Sequence, residues 1–283
     1  MPGRPRHDPA SHSATGAGPL SGPAYVHVVL AVAGASAIVL VARRARALSR
    51  SGAIAAWGVG VVTARAGWDW AALLIAFFVA GSALSRFGRA RKSARLEGML
   101  EKGDARDAMQ VLANGGVFAL AAAAHLAAPS TATLAVGAGA LAAAAADTFA
   151  TELGTLSARP PRSILSGRRV PAGTSGGVTL HGNLAMFAGA AFLAAVALLV
   201  RWPPVVAGGA FVGGVAGAIA DSLLGAVVQE RRWCPHCDEP TERRRHRCGH
   251  ATRVCGGVRG VGNDLVNVGC TLVGALLAWW LAV

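Results

Sequence analysis

The stretch from Asp147 to Asn183, DTFATELGTLSARPPRSILSGRRVPAGTSGGVTLHGN, carries the residue types that handle phosphate. Asp147 and Glu152 offer carboxylates to a hard cation such as Mg2+, which favours a few carboxylates together with phosphate oxygens. Arg159, Arg162, Arg168 and Arg169 supply forked donors that match phosphate oxygens. Gly173, Thr174, Ser175, Gly176 and Gly177 can present successive backbone N–H groups to an anion. They lead toward a helix N-terminus, where the dipole favours negative charge. Nothing matches the P-loop pattern GxxxxGK[ST], and the two lysines, Lys92 and Lys102, lie elsewhere. Arginine and Mg2+ would therefore carry the phosphate charge.

Similar ingredients recur at three other helix ends. Asp107, Gln110 and Asn114 in RDAMQVLANGG are three and then four apart, which places them on one helix face. Asp147 and Thr151 are four apart, as are Thr148 and Glu152. Asp221, Gly225 and Gln229 follow at steps of four, with Ser222 beside Asp221. Asn263 and Asn267 repeat the spacing, with Asp264 three before Asn267. Each stripe alone reads equally well as snorkelling and interhelical hydrogen bonding. Four at one face of a membrane favour a shared site, because an acid at the bilayer centre costs about 2.5–3.5 kcal/mol and less near an interface.

A different chemistry sits in QERRWCPHCDEPTERRRHRCGHATRVCGGVRG. Cys234 and Cys237 form a C-x-x-C pair, followed by His246 and Cys248, the pattern of a tetrahedral zinc knuckle. His250 and Cys255 are substitute ligands. A disulfide or redox pair and unliganded thiols are the alternatives, the first disfavoured if the loop faces a reducing compartment. Cys270 reads as packing.

These residues need a membrane scaffold. The chain is 53% hydrophobic and 14% charged, with a mean hydropathy of +0.47, whereas a soluble domain carries roughly 25% charged residues. The apolar blocks predict an all-α polytopic helical bundle with spans at Ala24–Ala42, Ser51–Ala64, Trp68–Leu84, Ala108–Ala128, Thr131–Ala146, Asn183–Val200, Pro203–Val228 and Gly262–Val283. Eight spans are preferred, or seven if the short second one is re-entrant. Residues 1–23 read as a disordered tail with no cleavable signal, and residues 24–283 as one membrane domain.

Net charge is +13, but its distribution argues against a nucleic-acid partner. Loops 43–50, 85–107, 147–182 and 229–261 hold 23 of the 27 Lys and Arg, and the intervening loops hold only Arg65 and Arg201. By the positive-inside rule these four loops are cytoplasmic, in a multi-pass protein of the cell membrane, with both termini outside.

The ordered set RDAMQVLANGG, DTFATELGTLS, PRSILSGRRVPAGTSGGVTLHGN, DSLLGAVVQ, CPHC…HRCG and GNDLVN resembles the integral membrane family of transmembrane protein 19 and the plant phytyl-phosphate kinase of vitamin E synthesis. The likeness runs from about Arg43 to the C-terminus. It implies transfer of a phosphoryl group from a nucleoside triphosphate, CTP or another, to a prenyl monophosphate lipid. On that reading Asp147 and Asp221 hold Mg2+, with Glu152 or Asp264 as a further ligand. Arg162, Arg168, Arg169 and the amides of 173–177 hold phosphates, while Asn114, Asn263 and Asn267 orient the lipid phosphate. A lipid-phosphate cytidylyltransferase would use the same groups, and a transporter of a small polar or anionic solute is the third class.

Overall fold

A computed structural model describes residues 22–95 and 105–283. The expected disordered tail falls almost wholly outside them. Nine helices are described: α1 (Gly22–Arg44), α2 (Arg50–Ala66), α3 (Trp68–Arg86), α4 (Arg89–Arg95), α5 (Ala108–Ala127), α6 (Thr131–Gly154), α7 (Leu180–Leu199), α8 (Pro204–Val227) and α9 (Asn263–Ala282). Seven of them are long and apolar enough to cross a membrane. The eighth, α2, has 17 residues, about 26 Å at 1.5 Å per residue. It nevertheless joins opposite ends of the bundle. Ser49, its N-cap, bonds the Arg106 carbonyl at the basic end, and Gly67, beyond its last turn, meets Asp69 and Trp70 at the other. The chain is a polytopic helical membrane protein, and α1 starts at the same end where α9 stops.

Local signals set the helix ends. Ser49, Ser130 and Thr179 cap α2, α6 and α7, each hydroxyl accepting from an amide three residues on at 3.0, 3.2 and 3.0 Å. Asp107 and Gln110 form a reciprocal capping box on α5. Helix α6 continues to Gly154, past the Ala146 expected for that span, because DTFATELG holds no breaker. The chain turns only near Pro160 and Pro161. Helix α7 begins at Leu180 instead of Asn183, owing to the Thr179 cap.

Helix α6 is the axis. It packs against α3, α5, α7, α8 and α9, and every residue from Gly137 to Ala146 is buried. Small side chains make this possible, as in other membrane bundles. A Cβ added at Gly139 would lie 2.3 Å from the Gly274 carbonyl oxygen, so α6 and α9 touch backbone to backbone.

The basic end also carries short strands that an all-α reading does not anticipate. β1 (Arg162–Ser163) pairs antiparallel with β2 (Gly177–Val178), which folds the loop after α6 back on itself. β3 (Arg231–Cys234), β4 (Glu239–Thr241) and β5 (Arg253–Gly256) form an antiparallel sheet in the order β4-β3-β5 between α8 and α9.

Candidate functional site

Within the last two turns of α6 and α8, Asp147 and Asp221 come close enough for their carboxyls to interact. Two acids this close need a proton or a cation between them. Oδ1 of Asp221 is buried with no hydrogen-bond partner among the described residues. An oxygen pair with one orphaned atom is a donor set suited to a small divalent cation.

Both acids line a cleft of about 440 Å3 at the basic end. Its roof is the loop closed by β1 and β2, which brings Gly173 through Gly177 over the carboxyls. Gly176 fixes that loop on α8. Its φ of 75° is left-handed, and an added Cβ would sit 2.4 Å from Ala226 Cβ and 2.8 Å from the Ser222 oxygen. Within the turn, Thr174 N and Gly177 N are bonded to Pro171 and Thr174 carbonyls. The amides of Ser175 and Gly176 have no such bond among the described residues. Thr151, Ser222, Gln229 and Asn263 complete the expected polar lining, together with Asn183 from the first turn of α7.

Other expected site residues lie elsewhere. Glu152 is on a different flank of α6, accepting from Ser85 Oγ and Lys92 Nζ at 2.5 Å each. Asp107 and Gln110 are occupied in the α5 capping box, and Asn114 donates to the Gln110 carbonyl at 2.9 Å. Gln110 and Asn114 face a separate cavity. Asp264 lies in the first turn of α9, where a carboxylate complements the dipole, and it is not among the cleft-lining residues. Asn267, one turn deeper, is buried with Oδ1 unpartnered among the described residues. Of the arginines, Arg162 donates to the Gly167 carbonyl at 2.8 Å, and Arg168 and Arg169 are exposed. Arg95 and Arg159 are the two that reach the cleft.

Asn183, Arg95 and Glu242 were not legible as site residues. Asn183 could have been found from the Thr179 cap, which puts it on the first turn of a helix. Arg95 and Glu242 are brought in by tertiary packing alone.

Cys234, Cys237, His246 and Cys248 place one ligand atom each within 4.8 Å of one another, and all five cysteines are free thiols. Cys234 Sγ and Cys248 Sγ are 3.7 Å apart, close to the edge of roughly 3.8 Å that tetrahedral geometry gives for Zn–S bonds of about 2.3 Å. His246 Nδ1 lies 3.3 Å from Cys248 Sγ, while its Nε2 is 3.7 Å from Glu239. The amide of His250, then His246, draws the Cys248 thiol down to about 5. Hydrogen bonding to Cys248 pushes Cys237 up to about 11. The cluster can hold a metal ion. His236, His250 and Cys248 make a second, more exposed group. The sheet reaches the cleft through Glu242, whose carboxylate accepts from Gln229 Nε2 at 2.9 Å.

Residues 33–275 match the family described as integral membrane protein DUF92. An uncharacterized membrane protein of Methanocaldococcus jannaschii is 32% identical over 195 residues, which cover 69% of this chain and 80% of that one. Protein PGR of Arabidopsis thaliana is 30% identical over 234 residues, covering 73% of this chain and 81% of the relative. No solved structure matches.

Proposed function

The chain belongs to the DUF92 integral membrane family, and on that premise we propose that it is a phosphotransferase. It converts a prenyl monophosphate to the diphosphate at the expense of a nucleoside triphosphate. The observation that carries this reading is the meeting of Asp147 and Asp221 beside a Gly-rich turn, at the arginine-rich end of the bundle, where the bilayer surface is expected. A prenyl chain dissolves in the bilayer while its phosphate stays at that depth.

Phosphoryl transfer asks mainly for positioning and charge neutralisation. Mg2+ held by Asp147 and Asp221 would neutralise charge on the nucleotide and lipid phosphates. The amides of Ser175 and Gly176 then receive phosphate oxygens, in a turn already fixed by its own hydrogen bonds. Thr151, Asn183, Ser222 and Asn263 orient the acceptor with neutral donors that leave the carboxylates charged. Arg95 and Arg159 attract anions toward the cleft. No side chain has to remove a proton, since the attacking phosphate is already anionic.

The Cys/His cluster is assigned a structural zinc that anchors the sheet beside α8 and α9. The basic end is assigned to the cytoplasm on the arginine asymmetry. Reporter fusions after Ser93 and after Val283 are expected on opposite sides, and same-side labelling would overturn the eight-crossing topology.

The enzymatic proposal is tested with purified protein, Mg2+ and a panel of nucleoside triphosphates. Geranylgeranyl phosphate should stimulate nucleotide turnover, and geranylgeraniol and inorganic phosphate should not. Absence of stimulation with every nucleotide would favour a transporter.

A further inference from the structure

A second, larger cavity of about 590 Å3 lies between α1, α2, α3 and α5. It runs along α2 from Ala56 to Ala66 and reaches Leu48 at the basic end and Gly67 at the other. A cavity of this volume is in the range of small-molecule sites, and its elongated apolar shape suits a hydrocarbon chain. Leu30, Ile38, Val59 and Leu74 make the walls apolar, and the lining turns polar only at Arg106, Gln110, Asn114 and Thr148, and near the opposite mouth.

Arg106 is the informative residue. Its guanidinium lies 6.0 and 5.8 Å from the rings of Phe77 and Phe78. Among the described residues it donates no side-chain hydrogen bond and makes no ion pair. The acid it senses, Glu152, is already bonded to Lys92 and Ser85. Burial works against the Arg106 charge and lowers its pKa. Arg106 is half-buried, and five N–H donors with no acceptor beside them among the described residues suit an anion. An anionic head on a hydrocarbon tail answers both the unpaired guanidinium and the apolar channel behind it.

We propose that this channel binds a single-chain anionic amphiphile, with its phosphate or carboxylate on Arg106, Gln110 and Asn114 and its chain along α2. The site is separate from the cleft. Thr148 lines the channel and Asp147 lines the cleft, on different flanks of α6. The proposal holds whether or not the cleft transfers a phosphoryl group.

Three substitutions test it by equilibrium binding to the purified full-length chain, with no turnover involved. Arg106→Gln should weaken geranylgeranyl phosphate and palmitate by roughly 10- to 100-fold, the worth of a charge-assisted hydrogen bond. It should leave geranylgeraniol unchanged, and Arg106→Lys should restore most of the affinity. Comparing geranylgeranyl phosphate with palmitate identifies which head is preferred. Gly34 lines the channel, and an added Cβ there meets nothing within 4 Å. Gly34→Leu should therefore block the tail of palmitate, a ligand the cleft is not assigned, without disturbing the head, and inorganic phosphate alone should bind far more weakly than the lipid. Unchanged palmitate affinity in Gly34→Leu would overturn the proposal, even if Arg106→Gln fails to fold. So would equal binding of inorganic phosphate, or of two-chain phosphatidylglycerol.

Discussion

The two ends of the bundle are closed by the same helices in very different ways. At the arginine-poor end the connections are Gly67, Ala128–Ser130 and Val200–Pro203. Trp70 is buried there, with the rings of Phe118, His125 and Trp202 at 5.1, 5.3 and 5.0 Å. Among the described residues the one acid at that end, Asp69, accepts from Trp202 Nε1 at 2.6 Å. At the basic end the connections run through residues 155–179 and 228–262, carrying two small sheets and the Cys/His cluster. Joining antiparallel helices needs only a few residues, as the first end demonstrates. The additional chain at the second end is loop held by a rigid scaffold, the usual setting for function. The carboxylates differ in the same sense: Asp69 has its partner, and Asp221 keeps a buried oxygen without one.

Substitutions at the two ends should therefore separate, beginning with the acids of the cleft. Asp147→Asn and Asp221→Asn keep size and hydrogen bonding but remove charge that would offset a cation. Each should lower turnover by roughly 10²–10⁴, about two to four steps of 1.36 kcal/mol, with thermal stability retained. The double variant should cost little more than either single one, because the pair acts as a unit.

Next comes the roof. Gly176→Val meets both a left-handed φ and the α8 backbone, so the turn must lift. A displacement of about 1 Å can cost 10²-fold in rate, and a loss of roughly 10- to 100-fold is expected in steady-state assays, at unchanged expression. Cys234→Ser should release metal, measured by elemental analysis, and lower the melting temperature by several degrees, with turnover falling less than in the cleft variants. The smallest effect is expected at the opposite end. Asp69→Asn still presents an oxygen to Trp202, so activity should stay within about twofold, with stability falling by about 1 kcal/mol as the bond loses its charge. A large activity loss there would erase the contrast between the ends.

Much of this contrast is written in the sequence, for identifiable reasons. Apolar length anticipated the seven helices long enough to cross a membrane, with α2 the eighth and shorter one, and arginine placement the end at which the long loops gather. The steps of four in Asp221, Gly225 and Gln229 correctly put these residues on one face, and all three line the cleft. Spacing cannot say which neighbour a face meets. Asp107, Gln110 and Asn114 share a face that turns to the channel and the α5 cap, and Glu152 is committed to Lys92. The arginines were harder still. Arg162, Arg168 and Arg169 sit in the right loop, but the β1–β2 pairing directs Arg162 to Gly167. Arg95 arrives from a short helix with no sequence link to the cleft. The C-x-x-C and H-x-C spacings anticipated the favoured Cys/His set, which the structure brings together beside a second group of His236, Cys248 and His250.

The fate of isotopic label tests the central claim most directly. Purified protein is given geranylgeranyl phosphate, Mg2+ and a nucleoside triphosphate labelled at either the α or the γ phosphorus. Phosphoryl transfer in the cleft predicts γ label in the lipid product, α label only in the nucleoside diphosphate, and neither in lipid with Asp147→Asn. Entry of α label into the lipid would make the reaction nucleotidyl transfer, and γ label in lipid at wild-type levels with Asp147→Asn would remove the cleft from the chemistry.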